Sequence, residues 1–323
     1  MKENRIFTVG VGIVAIMLFA LSLGRLLGEN APQKYKISIV VDRSSSAGWD
    51  KFRKGLNAAS KKYNIEYNFV TTGRFLSIQQ EYLSLSREIK NGADGIITEL
   101  RATEGTGVLL NELGKSTKLE LVDCEKEVTD PTVSISSIGV DEEALGEALG
   151  KEVLQSNLQN QRLRIGILAG NQNKGNMKKR LDALKKVLGE GEKEIVWVME
   201  DKGQPRKDLE VANHKRSVDI IIALDNDSLE IATRYLRDTG RQFVELYGVG
   251  DSDEVIYSLD AGMIRSLIVI DQYQMAYSAV VNLWQRLSNS RNTPGDQTVD
   301  FYVVRADNMY ADGMERILFP TGQ

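Results

Sequence analysis

From Lys36 onward, short β-branched runs alternate with longer stretches whose apolar residues recur at helical spacing. The runs read KISIVV, IEYNFV, DGIITEL, LELVD, LRIGILAG, EIVWVME, DIIIALD, VELYGVG, RSLIVI and VDFYVV. Several are apolar at nearly every position, the pattern of strands covered on both faces. Between them lie DKFRKGLNAASKKY, IQQEYLSLSREIKNG and SAVVNLWQRLSNS. In the first, Phe52, Leu56 and Ala59 fall at i, i+4 and i+7, one face of a helix. This alternation predicts parallel sheets covered by helices. Ten strands exceed one comfortable doubly wound sheet, and the chain repeats itself. KYKISIVV is echoed by RLRIGILA about 128 residues later, IEYNFV by EIVWVM, and GADGIITEL by SVDIIIALD. The predicted fold is α/β, with two similar doubly wound parallel-sheet lobes. Ligands bind such sheets beyond the carboxyl ends of the strands. Two lobes facing each other turn that position into a cleft.

The N-terminal stretch has a different pattern. Gly10-Val11-Gly12-Ile13-Val14-Ala15 fits GxGxxA, and Glu29 lies at the offset of a ribose-binding acid. A dinucleotide site needs a strand before the glycines and an amphipathic helix after them. Only Arg5 to Val9 precede, and the stretch beyond the glycines is apolar on every face. No charge occurs from Ile6 to Leu23. As a helix that run is roughly 27 Å long, close to the hydrocarbon thickness of a bilayer. Lys2 and Arg5 flank its near end and place the first residues in the cytoplasm. Residues 1–30 therefore read as an uncleaved transmembrane helix, with a cleaved signal ending near Ala20-Leu21-Ser22 as the rival. Either way the rest of the chain is extracytoplasmic. APQKY joins this segment to the first strand, so the lobes sit close to the membrane.

Composition narrows the chemistry. Lys plus Arg number 41 and Asp plus Glu 45, a net charge of −4 that gives no electrostatic reason to expect nucleic acid. Cys124 is the only cysteine and His214 the only histidine. Intramolecular disulfides, His-dependent triads, Cys–His nucleophiles and His/Cys zinc sites are excluded. No cofactor motif occurs. Asp123, Asp225 and Asp271 are candidate carboxylates for a glycosidase, but no motif pairs them, and an enzyme is not expected.

Eight marks in order carry a resemblance: SSSAGW after the first strand, KFRKG, NGADGIITEL, IGVDEEALGEALG, Arg180-Leu181-Asp182-Ala183 echoing R-x-x-G, ALDNDSLEIA, GVGDSDEVIYSLDAGMI and VIDQYQMAY. From about Lys36 to Phe319 the chain resembles the type I periplasmic binding proteins. This is the ribose- and galactose-binding family that also supplies the core of LacI-type repressors. The resemblance implies three crossings between lobes. The first lobe would hold 35–139 with 272–297, the second 140–270 with 299–323. Repressors carry a helix-turn-helix before the first strand; here that place is apolar, and DNA binding is rejected.

The resemblance also suggests a site. It places Trp49 where an aromatic stacks on a sugar ring, since an indole covers a face of C–H groups well. The plainer reading is packing at a helix start. Ser45 and Ser46, with Ser44, either offer hydroxyls to the ligand or cap the next helix. Arg180 matches an arginine that reaches the ligand from the second lobe and can donate to two oxygens. Its alternative is a solvated basic face beside Lys178 and Lys179. Of Asp225, Asn226 and Asp227, one matches a family Asn-Asp facing the cleft and at least one must cap the helix SLEIATRYL. Asp123, Asp271 and Gln272 end strands on the hinge side. Some family positions depart: Gly250 replaces an Asp, Ile270 a Gln, and Glu99-Leu100-Arg101-Ala102 an Asn-Pro-x-Asp. Glu99 and Arg101 either read charge at the cleft edge or form a solvated rim.

The expected function is an extracytoplasmic receptor for a small polar ligand, a carbohydrate by the resemblance, that closes two lobes. A sensor histidine kinase or an ABC-type permease would then read the closed form. The missing polar positions leave one alternative, a degenerate receptor that recognises a protein partner.

Overall fold

The computed structural model describes residues 15–19, 34–127, 130, 132–133, 135–155, 163–189, 194–241, 243–289 and 294–320. The chain divides into two units, Met1–Lys34 and Tyr35–Gln323. Of the first, residues 15–19 are helical, with Ile16, Met17, Leu18 and Phe19 exposed. The rest of the expected apolar span lies outside the described residues. Among the described residues no helix is long and apolar enough to cross a membrane.

The second unit holds two six-stranded sheets. In lobe 1 the strands are β1 (Tyr35–Val40), β2 (Ile65–Phe69), β3 (Gly95–Thr98), β4 (Lys118–Val122), β5 (Ile135–Gly139) and β11 (Gln297–Thr298), in the order β11-β5-β4-β3-β1-β2. In lobe 2 they are β6 (Arg164–Gly170), β7 (Glu194–Glu200), β8 (Ile220–Ala223), β9 (Glu245–Val249), β10 (Ser266–Ile270) and β12 (Phe301–Val304), in the order β12-β10-β9-β8-β6-β7. The ten expected strands are all present. Two more appear, β5 and the two-residue β11. β5 reads ISSIG, and its serines hide it from a search for apolar runs. Ser136 is tolerated because its Oγ donates to the buried Glu120 Oε2 at 2.6 Å.

Helices come after the strands. Lobe 1 has α1 (Asp50–Tyr63), α2 (Ile78–Lys90) and α3 (Gly107–Ser116). Lobe 2 has α4 (Glu142–Leu154), α5 (Gly175–Leu188), α6 (Pro205–Lys215), α7 (Asn226–Thr239) and α8 (Asp253–Asp260). The chain then returns through α9 (Gln272–Ser288), which packs on α1 in lobe 1, and ends near α10 (Met314–Leu318). Phe52, Leu56 and Ala59 of α1 are fully buried, as their spacing requires. Two helix pairs flank the hinge, α1 with α9 and α4 with α5, and each crosses at a glycine. A Cβ on Gly55 would lie 2.2 Å from the Tyr273 carbonyl oxygen, and one on Gly146 would lie 2.4 Å from that of Arg180. No other residue allows backbones this close.

Candidate functional site

A cavity of about 140 Å³ lies between the lobes, against the carboxyl ends of strands from both sheets. Asp42, Arg43, Ser46, Gly48 and Trp49 line it from the segment after β1. Glu99 comes after β3 and Asp123 after β4. From lobe 2 come Asn171, Lys174, Met177 and Arg180, then Asp225, Asn226 and Asp227 after β8, then Val249, Gly250 and Asp251. Ile270 and Gln272 line it where the chain returns to lobe 1.

Seven of the nine expected site residues meet here: Trp49, Ser46, Arg180, Asp225, Asn226, Asp123 and Gln272. Ser45 is exposed and stands outside the wall. So does Asp271, whose Oδ1 accepts from the Gln274 N–H at 2.9 Å and caps α9. Its carboxylate serves the helix end rather than the cavity.

The surroundings of each side chain say what it has left to offer. Trp49 is half-buried, with its ring edge-on to Phe52 at 5.3 Å, and its Nε1 donates to the Asp42 carbonyl at 3.3 Å. Ser46 caps the short turn Ala47–Trp49 and donates to Asp227 Oδ1 at 2.7 Å, so it joins the lobes. Arg180 is buried rather than solvated. Its Nε and Nη2 donate to Glu142 at 2.6 and 2.9 Å, and Nη1 donates to the Leu224 carbonyl at 2.6 Å. Asn226 accepts the N–H groups of Asp251 and Ser252 at 3.1 and 3.0 Å, which holds the loop after β9. Asp225 caps α7 through Oδ1, 2.7 Å from the Ser228 N–H. Burial raises its carboxyl above the usual range, and Asp227 adds to the effect.

Asp123 stands apart. Its backbone is left-handed (φ 45°), and its buried Oδ1 has no hydrogen-bond partner. Burial pushes the carboxyl up to about 7; Glu142 adds to the rise and Arg180 opposes it. Gln272 Oε1 is likewise buried without a donor.

Asp42, Arg43, Asn171, Lys174, Met177 and Asp251 were not singled out in the sequence. Asp42 and Arg43 sit directly after β1, and their place at a strand end was the available signal. Lys174 has no such signal: it pairs with Glu99 of the other lobe, a contact that only the folded chain creates. Other pairs also cross the cleft: Arg43–Asp227 at 3.0 Å, Arg74–Asp201 at 2.9 Å, Lys51–Asp251 at 3.6 Å, Lys178–Glu104 at 2.9 Å and Lys179–Glu125 at 2.5 Å. The lobes are thus closed on each other. Arg101 lies off the wall; its carbonyl accepts from Asn171 Nδ2 at 2.7 Å. Among the described residues no group of three or more His, Cys, Asp or Glu side chains is placed to hold a metal ion.

A family model described as a periplasmic binding protein domain matches residues 37–291. No curated protein matches the chain in sequence. Among solved structures, it is similar to an ABC-transporter solute-binding protein from Agrobacterium vitis with bound D-fucose. The TM-score is 0.79 at 16% identity, over 88% of this chain and 100% of that one. A solute-binding protein from Burkholderia graminis in complex with D-arabinose gives 0.76 at 17%, over 87% and 99%. XylFII in its complex with LytSN gives 0.72 at 18%, over 86% and 100%. At these identities the likeness is one of fold.

Proposed function

Since the chain belongs to the periplasmic binding protein family, of type I, we propose that it is an extracytoplasmic receptor that closes its two lobes on a monosaccharide. The observation that carries this reading is the company Trp49 keeps. An aromatic ring and a set of strand-end carboxylates and amides share one cavity, which suits a molecule with a C–H face and a rim of hydroxyls. Size supports a single ring. A cavity of about 150 Å³ accepts benzene, and this one is about 140 Å³. Sugars in the solved relatives point the same way, as does the complex of XylFII with a second protein. Binding proceeds without turnover. The apolar segment from Ile6 to Leu23 tethers the receptor to the membrane, and a sensor kinase or an ABC-type permease reads the closed form.

Thermal unfolding of the full-length protein against a panel of monosaccharides tests this. A sugar at about 100 times its Kd adds roughly 2.7 kcal/mol, a rise of several degrees in Tm. The rise should vanish in Trp49→Ala. A cooperative unfolding transition that no monosaccharide moves would overturn the reading and favour recognition of a protein partner.

A further inference from the structure

The cavity wall holds more negative groups than positive ones, and the imbalance is local. Six carboxylates line it against three cations, Arg43, Lys174 and Arg180. Each cation is already engaged: Arg43 with Asp227, Lys174 with Glu99, Arg180 with Glu142. Of the wall carboxylates, Asp251 has Lys51 as its counter-charge at 3.6 Å, although its buried Oδ2 accepts no hydrogen bond. Asp42 accepts the Phe75 N–H at 2.6 Å. Asp225 likewise accepts the Ser228 N–H at 2.7 Å, which leaves Asp123. Around Asp123 stand Glu99 and Glu142 against Lys174 and Arg180, so with its own charge the group is one negative in excess. No hydrogen bond reaches its buried Oδ1, and Gln272 Oε1 also waits for a donor.

We propose that this site selects a monosaccharide bearing a protonated amino group, which docks against Asp123. This rests on the receptor reading above and narrows its ligand. A buried carboxylate without a partner is unfavourable, and it either takes a proton or receives a cation. A hydroxyl brings one donor and no charge, whereas an ammonium brings three donors and the missing positive charge. A sugar acid or sugar phosphate adds negative charge where every wall cation already has a carboxylate.

Calorimetric titration of the full-length protein at neutral pH tests this with D-glucosamine and D-galactosamine. Their neutral parents, their N-acetyl forms and the corresponding uronic acids complete the panel. The amines should bind at least about tenfold more tightly than the parents, the N-acetyl forms should lose that advantage, and the uronic acids should bind worst. In Asp123→Asn the amine affinity should fall at least about tenfold more than that of the parent sugar, so the ratio collapses. The ratio is read within one variant and does not depend on that variant's stability. Parents or acids binding as well as the amines, or a preference that survives in Asp123→Asn, would overturn the proposal and leave the receptor reading standing. If no sugar of any class binds, both fall together.

Discussion

In lobe 1 the sixth strand, β11, runs parallel to β5; in lobe 2 the sixth strand, β12, runs antiparallel to β10. The difference arises from where the lobes touch. The carboxyl ends of the parallel strands in both sheets lie on the cavity side. A chain that leaves lobe 1 along a parallel strand emerges at the cleft. If it continues directly, through Val299 and Asp300, it enters lobe 2 from the carboxyl side and must run against its neighbours. The odd strand therefore marks a hinge crossing. The entering helices differ in the same way. Both α4 and α9 begin just after a crossing, one with Glu142 and the other with Gln272. Lobe 2 neutralises its residue with Arg180, whereas lobe 1 leaves Gln272 Oε1 without a donor. At these two helix starts lobe 2 has an ion pair, and lobe 1 has an amide oxygen still waiting for a donor.

The sharpest way to break this comparison is to remove the buried arginine of each lobe. Arg286 pairs with Glu120 in lobe 1, both within 1% of full burial, and Arg180 pairs with Glu142 in lobe 2. Arg286→Met and Arg180→Met should each destabilise by about 3–5 kcal/mol, because each strands a buried carboxylate. In a chain of this size that lowers Tm on the order of 10 °C. The lobes should then part company. Arg286 is off the cavity wall, so its variant should still bind ligand, while Arg180→Met leaves Glu142 facing Asp123 and should abolish binding. Thermal melts with and without ligand decide it. An Arg180→Met protein as stable as the parent would mean that Arg180 does not neutralise Glu142 at the start of α4.

A smaller effect concerns pH. Burial lifts Asp123 from 3.8 to about 7 and Glu81 of α2 from 4.5 to about 8, both in lobe 1. Each carboxyl holds its proton more tightly in the folded chain than in the unfolded one. Stability that is intact below about pH 4 is therefore lost as pH rises toward 8. Around Asp123 the groups that set this are Glu99, Glu142, Lys174 and Arg180. Asp123→Asn removes its share, so the empty variant should gain a few kcal/mol over the parent at pH 8 and nothing at pH 4. Denaturant melts at the two pH values check this. An equal gain at both would assign the effect to packing.

The fold was legible because buried parallel strands announce themselves as apolar runs, and a repeat about 128 residues apart implies two lobes. What escaped was the two-residue β11 and β5, whose Ser136 and Ser137 break the run; Ser136 answers to Glu120, a partner 16 residues away. The cavity was legible to the same depth. Asp123 and Asp225 lie just after strand ends and Trp49 in the segment that follows β1, where topology alone directs attention. Lys174 and Arg43 did not stand out, because their meaning lies in Glu99 and Asp227 across the cleft. Ser45 and Ser46 are neighbours of one type, and only the turn Ala47–Trp49 decides which faces inward.

The smallest effect concerns the rim. Lys178 and Lys179 of lobe 2 reach Glu104 and Glu125 of lobe 1 at 2.9 and 2.5 Å, with both lysines about half exposed. Such pairs are worth about 0–1 kcal/mol each and are screened by salt. The buried Lys51–Asp251 pair also spans the lobes, and removing Lys51 should weaken closure by more, about 2–5 kcal/mol, because Asp251 is left unpaired. If direct pairs hold the lobes together, the ligand-free protein should open in graded fashion. Lys178→Ala with Lys179→Ala should open it slightly and only at low salt, and Lys51→Met should open it further at any salt. Small-angle scattering reads this as an increase in radius of gyration, reversed when ligand bridges Asp123 and Asp225 from the two sides. Equal radii in the parent and both variants would mean that closure is held elsewhere, by backbone-directed contacts such as Gly175 N–H to Thr103 Oγ1 at 2.8 Å. The unmet amide oxygen of Gln272 in lobe 1 would then matter for the ligand alone and not for the closed form.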